Sequence, residues 1–375
     1  MKRWLLISGD FTPLGGMDRA NHALAAYLAG VEGADVHLVT HRVWPDLESH
    51  PSITVHHAPR PLRSHVLGAP LLAREGERWA SRLNGVRVVA NGGNADTGDV
   101  AWVHYVHAAY EPRLVRGVAK RAQARLARRY DLARELRVLQ RARLVVCNSR
   151  RTARDVVERL AVDESRVRTI YYGTDAARVT AVSPAERAAA RRALGWPDRP
   201  VALFVGALGD RRKGFDRLFE AWSRLAADRS WDVDLAVAGE GGELPAWRAR
   251  AGAAGLGNRI RFLGFRSDVP AVIAASDLFV HPARYEAYGL GVHEAICRGI
   301  PAIVSASAGI AERYSAGFDD LLLQDTEDVG QLCDCLRRCR ASLDTLAQRI
   351  RPLSDALRAR SWNDMASDIV RAARS

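Results

Sequence analysis

The chain has 375 residues, 48% hydrophobic and 26% charged, which excludes disordered, collagen-like and disulfide-scaffold classes and exceeds what one core usually serves. Two domains are therefore expected. Lys+Arg outnumber Asp+Glu by 55 to 43, a formal charge of +12, and all the cations except Lys2, Lys120 and Lys213 are arginines, a skew that makes each retained lysine informative.

Residues 1–8 read as a short apolar strand running into Gly9 rather than as a signal peptide. No run approaches the roughly 18 apolar residues of a membrane span, so a cytoplasmic location is expected. Strand-length apolar runs then alternate with helical patterns, the signature of parallel α/β units. In the first half the runs are 4–8, 36–39, 53–57, 86–90, 101–106, 144–147 and 167–171. Residues 175–200, rich in Ala and Arg with Pro184, Pro197 and Pro200, read as a linker holding a turn or two of helix. The pattern restarts at 201–205, 235–238, 260–263, 278–280 and 302–304. The expected fold class is α/β, two facing doubly wound Rossmann-like domains. The expected boundaries are 1–178, joined by a returning helix at 360–375, and 179–359. Ligands of such sheets sit beyond the carboxyl ends of the strands.

Five cysteines do not make a secreted framework. Cys333, Cys335 and Cys339 share a helical segment with no histidine nearby, so structural thiols are expected there.

Four strand-end segments carry chemistry. Gly15-Gly16 precedes a helix whose first amides suit an anion, although such loops also hold glycine for turn geometry alone. Arg212-Lys213-Gly214 pairs a planar fork with a movable point charge at the mouth of a strand, a combination that fits a diphosphate. A solvated basic turn is the competing explanation, against which the rare Lys213 weighs. Gly239-Glu240-Gly241-Gly242 allows close approach to a nucleoside or simply makes a tight turn; its spacing is not a dinucleotide fingerprint. The most specific segment is residues 281–294, where Glu286 and Glu294 stand eight apart with Gly289 and Gly291 between. A helix starting near Leu290 would aim free amides at a phosphate. His104 and His107 flank a strand end and are candidate lining residues.

Together these residues resemble the family 4 retaining nucleotide-sugar glycosyltransferases of GT-B fold, over nearly the whole chain. Glu286 and Glu294 reproduce a Glu-x7-Glu motif, and Arg212-Lys213-Gly214 matches the turn that holds the donor diphosphate. Residues 238–241 (Ala-Gly-Glu-Gly), 146–149, 172–175, Gly299-Ile300-Pro301 and Ser361-Trp362 resemble further landmarks. The resemblance implies transfer of a hexosyl unit from a UDP- or GDP-linked sugar to a glycan or lipid-linked acceptor, in envelope or polysaccharide synthesis. It implies donor contacts from Gly15, Gly16, Arg212, Lys213, Gly239, Glu240, Glu286, Gly289, Leu290 and Glu294. His107 would lie near the transferred sugar, with His104 an acceptor-side candidate. His107, Glu286, Arg212 and Lys213 would carry catalysis, with the leaving phosphate taking the acceptor's proton. Neither cofactor nor metal is implied, and Asp232-Val233-Asp234 reads as surface. Ala207 and Ala287 depart from the pattern, at positions where Arg and Gly are usual.

Two alternatives use the same residues differently. A nucleotide-sugar epimerase shares the fold. The basic stretch 113–143, with eleven cations against Asp131 and Glu135, suits a solvated face, nucleic acid or an anionic membrane surface. No nucleic-acid-binding module accompanies it. A peripheral position on the inner membrane face is the preferred variant.

Overall fold

The computed structural model describes residues 2–112, 118–177, 179–209 and 211–375, with the backbone alone for 118–120. They form two compact units, one running up to Gly173 and completed by Arg360–Ser375, the other Thr174–Ala359.

Unit 1 is built on seven parallel strands: β1 (Arg3–Ile7), β2 (Asp35–Thr40), β3 (Ile53–His57), β4 (Arg87–Asn91), β5 (Val100–Val103), β6 (Leu144–Cys147) and β7 (Val167–Thr169), in the order β3-β2-β1-β4-β5-β6-β7. Trp4, Leu5, Leu6 and Ile7 are all buried, as are all four residues of β5. Such unbroken apolar strands are what a parallel sheet covered on both faces requires. Helices α1 (Met17–Gly30), α2 (His65–Arg82), α3 (Val118–Arg141) and α4 (Arg150–Leu160) make crossovers. The apolar run 101–106 leaves the sheet at Val103. Its continuation turns into a short 3-10 segment, His107–Ala109, because the amides of 107 and 108 bond to Glu135 instead of a neighbouring strand.

Unit 2 opens with α5 (Pro184–Leu194), capped by Ser183 and ended by Gly195 in the left-handed region. This corrects the linker expected at 175–200. Arg187 and Arg191 of α5 both pair with Asp277, whose Oδ2 also accepts from Val201 N at 2.8 Å, which ties the helix into the unit. Strands β8 (Val201–Val205), β9 (Asp234–Ala238), β10 (Ile260–Gly264), β11 (Leu278–His281), β12 (Ala302–Ser305) and β13 (Leu322–Leu323) form a parallel sheet ordered β10-β9-β8-β11-β12-β13. β13, two residues long, carries no periodicity to read. Helices α6 (Phe215–Ala226), α7 (Leu290–Cys297) and α8 (Val329–Ala341) follow, with Cys333, Cys335 and Cys339 buried in α8.

The last helix, α9 (Trp362–Arg374), belongs to unit 1. Ser361 and Asp364 close a capping box at its start, and it packs on α1. Arg143 reaches the carbonyl of Ala373 at 2.6 Å.

In both sheets the order reverses beside the first strand, between β1 and β4 and between β8 and β11, the position where doubly wound sheets take ligands.

Asp232-Val233-Asp234 is not plain surface. Asp232 pairs with Arg340, while Asp234 is 1% exposed and holds Arg259 at 2.9 Å, with Arg199 and Arg261 at 3.4 Å. An apolar strand can begin on a buried acid only because three guanidiniums neutralise it. Asp234→Ala strands those charges and should cost about 3 kcal/mol, the low end for breaking a buried pair because the arginines are partly solvated. Urea unfolding followed by tryptophan fluorescence measures it.

Candidate functional site

In unit 2 the switch point joins two of the motifs. The turn Arg211–Lys213 follows β8, and Gly214 (φ 74°) lies so close to β11's exit that a Cβ there would stand 1.9 Å from Pro282 O. Only glycine permits that approach. The loops are stitched by Arg284 N to Arg212 O at 2.8 Å and by Arg212 Nη1 to Tyr285 O at 3.4 Å. Lys213 Nζ then pairs with Glu286 Oε2, which also accepts from His281 Nε2 at 2.8 Å. Residues 73 apart in sequence thus share one carboxylate oxygen.

Glu286 is 9% exposed. Burial alone would push its pKa up; the Lys213 ammonium, helped by His281, instead holds it well below the usual carboxylate range. Burial pushes His281 down, so the imidazole is neutral and donates its Nε2–H to Glu286. Among the residues missed in the sequence, His281 matters most here; a histidine closing an apolar strand is its only signal. Arg284 forms a fork with Asp216 at 2.7 and 2.9 Å and pairs with Glu327, which anchors the loop from below.

Gly289 (φ 109°) is the N-cap of α7 with no side-chain cap, so the amides from Leu290 onward begin the helix without a capping oxygen. Glu294 stands half-buried on the second turn. The loop before α7 is pinned by Gly309 N to Glu286 O at 3.1 Å and Ile310 N to Tyr288 O at 2.7 Å. The loop of Gly239 and Gly241 packs its backbone against the β8 loop: Leu208 N donates to Glu240 O at 2.8 Å, and a Cβ on either glycine would stand 1.9 Å from a carbonyl of that loop. Those glycines let the two loops' backbones approach each other, with the Glu240 side chain exposed.

In unit 1 the switch point holds a cavity of about 280 Å³, lined by Met17, Asn91, Asn94, His104, His107 and Glu135 among others. Gly15 and Gly16 lead into α1, with Gly16 its N-cap and Asp18 in its first turn. Burial, with Asp10 second, raises Asp18 to about 6. His107 keeps a 42% exposed side chain, and its Nδ1 lies 3.1 Å from Glu135 Oε1. His104 differs. It is buried, its Nδ1 meets Tyr172 OH at 2.5 Å, and burial lowers its pKa to about 3. Asn148 donates to the same hydroxyl at 3.1 Å. Glu135 and Asp131, the two acids of the basic stretch, were legible only as charge.

Residues 14–178 match the family model described as Glycosyltransferase Family 4, and residues 199–341 match Glycosyl transferases group 1. The chain belongs to the family 4 glycosyltransferases. Among curated relatives it is similar to an alpha-D-kanosaminyltransferase of Streptomyces kanamyceticus (31% identity over 46% of this chain and 45% of that protein). It is also similar to the lipopolysaccharide core mannosyltransferase LpsB of Rhizobium meliloti (29%, over 44% and 48%). The chain spans about half the length of the curated relatives it matches. Among solved structures it resembles WaaG, a glycosyltransferase involved in lipopolysaccharide biosynthesis (TM-score 0.76, 21% identity, 98% of this chain and 99% of that one). It also resembles Anabaena HepE in complex with UDP and glucose (TM-score 0.73, 20% identity, 100% of both chains). These likenesses give this family 4 chain its GT-B fold.

Lys213→Ala should destabilise the chain by about 3 kcal/mol at pH 7, since Glu286 is left buried with only His281. The pair's contribution is present above the ordinary carboxyl value of 4.5 and is lost as pH falls through the lowered folded value. In the variant burial raises that value, so the deficit should shrink as pH falls through the carboxylate range. Melting temperatures of both proteins between pH 4 and 8 measure this.

Proposed function

We propose that the chain is a retaining, metal-independent transferase that moves a hexosyl unit from a UDP- or GDP-linked sugar to a glycan or lipid-linked acceptor. The observation that carries this reading is the Lys213–Glu286 pair at the unit 2 switch point. Its ammonium is a single mobile charge already held where a diphosphate would compete with a carboxylate for it. On donor binding Lys213 and Arg212 take the diphosphate and neutralise the charge that grows as the glycosidic bond breaks. Glu286, relieved of the ammonium but still oriented by His281, accepts from hydroxyls of the donor sugar. Glu294 takes the ribose hydroxyls, and the amides of Gly16, Gly289 and Leu290 assist at the phosphates. Gly15, Gly239 and Glu240 line the nucleotide side. The leaving phosphate, rather than a protein carboxylate, receives the acceptor's proton. HepE has been solved with UDP-glucose, which supports a nucleotide-sugar donor for this fold.

The acceptor reading draws on unit 1. Along α3, Arg121, Arg125 and Arg129 are exposed around Leu126, itself 70% exposed. Arginine charge around a protruding leucine fits an anionic bilayer surface, and a lipid-linked acceptor would be met there, at the inner face of the membrane. Arg113, Arg116 and the side chain of Lys120, which complete the basic stretch, lie outside the described residues. Among the described residues no helix is long and apolar enough to cross a membrane.

A thermal-shift series with UDP, GDP, ADP, dTDP and CDP tests the donor site: one diphosphate should stabilise the protein, with EDTA making no difference. No shift with any nucleotide would overturn the proposal. Lys213→Ala and Glu294→Ala should each lower turnover by roughly 100- to 1,000-fold, the scale of removing one preorganised polar group, read as acceptor-dependent release of nucleoside diphosphate. For the membrane surface, the protein should sediment with vesicles of roughly one-third anionic lipid and be released at high salt, because charge attraction is screened.

A further inference from the structure

Eleven cations crowd residues 113–143, and the two acids among them, Asp131 and Glu135, stand one helical turn apart on α3. Each meets a histidine on the wall of the unit 1 cavity. The Asp131 contact is loose, with Oδ1 3.8 Å from His65 Nε2 and the imidazole largely exposed. The Glu135 contact is directional, and Glu135 is 2% exposed. Its Oε1 accepts from His107 N at 2.9 Å and lies 3.1 Å from His107 Nδ1, while its Oε2 accepts from Ala108 N at 3.2 Å. Arg128 clamps the same turn through the carbonyls of His107 and Tyr110, at 3.3 and 2.8 Å.

We infer that Glu135 is a positioning residue that fixes His107 as the Nδ1–H tautomer and turns a bare Nε2 toward the cavity's ligand. A carboxylate only accepts, so the imidazole nitrogen beside it carries the proton, and in the neutral ring the opposite nitrogen keeps its lone pair. A bare Nε2 accepts from a hydroxyl and has nothing to offer a phosphate or carboxylate oxygen. The ligand group it selects is therefore an O–H, the group a sugar presents in quantity. The neighbouring histidine has a different partner at Nδ1, the hydroxyl of Tyr172. That His107 meets the transferred sugar rests on the transferase reading above; the tautomer does not.

The test uses the full chain labelled with ¹⁵N-histidine. Long-range ¹H–¹⁵N spectra of the free wild-type protein should show His107 protonated on Nδ1 and bare on Nε2. In Glu135→Ala the proton should move toward Nε2, the form that neutral histidine prefers in water. Glu135→Gln keeps an oxygen for Nδ1–H and should retain the wild-type tautomer. In turnover, Glu135→Ala should lower kcat/KM on the order of 10- to 100-fold, by analogy with partners that orient metal-bound imidazoles. Glu135→Gln should recover most of it. Added to His107→Ala, Glu135→Ala should cost nothing further. A wild-type His107 protonated on Nε2 overturns the inference whether or not the variants fold. An equal loss from Glu135→Ala in the His107→Ala background also overturns it, since capping the turn would then be the whole role. Because the spectra need no substrate, failure to find a donor sugar would sink the transferase reading and leave this one to be decided separately.

Discussion

A carboxylate taken out of water must be matched by charge or hydrogen bonds, and Glu286 sets that demand at the centre of unit 2. Lys213 and His281 meet it from two different strand ends, so the β8 loop and the β11 loop are held together by the same oxygen. The geometry is available because β8 and β11 are neighbours where the strand order reverses. Gly214 lets the turn come against Pro282, Arg284 secures the loop to Asp216 and Glu327, and the loop before α7 is pinned to residues 309 and 310. Each of these interactions serves to keep one buried charge paired before a ligand arrives.

The excess of arginine has a structural use as well as a surface one. Planar forks with five donors neutralise Asp277 beside α5, Asp234 at the start of β9, and Asp216 with Glu327 under the loop. Much of the positive charge counted in the sequence is thus bound to acids within its own unit, while the net excess of +12 remains. On α3, Arg121, Arg125 and Arg129 are exposed around Leu126. Lys213 stands apart from all of these: its point charge, on a flexible stem, can change partners in a way a bidentate arginine fork resists.

Unit 1 solves a related problem with neutral groups. At its switch point the strand run through residues 101–106 is cut short because Glu135 captures the amides of 107 and 108. The imidazole of His107 is left at the cavity while that of His104 is sealed against Tyr172 and Trp102. The two histidines look equivalent in the sequence and are not. What separates them is the hydrogen-bond partner that folding delivers to each Nδ1.

Local pattern was enough to determine the class of fold. Buried parallel strands must be apolar along their whole length, so twelve of the thirteen sheet strands named here stood out, and only Leu322–Leu323 was too short to show. The glycines and charged residues at strand ends were legible for the same reason, since they interrupt that pattern where backbone or charge is needed. The α5 helix was misread because its proline and arginine content resembles a linker until Asp277 is seen to receive Arg187 and Arg191. Asp234 was misread as surface because nothing local announces three arginines arriving from elsewhere. Which residues meet across long separations, Lys213 with Glu286 and His107 with Glu135, was decided by tertiary structure alone. Propensity and periodicity act over a few neighbours, whereas a hydrogen bond or ion pair is specified only when the strand order has brought its two ends within about 3 Å.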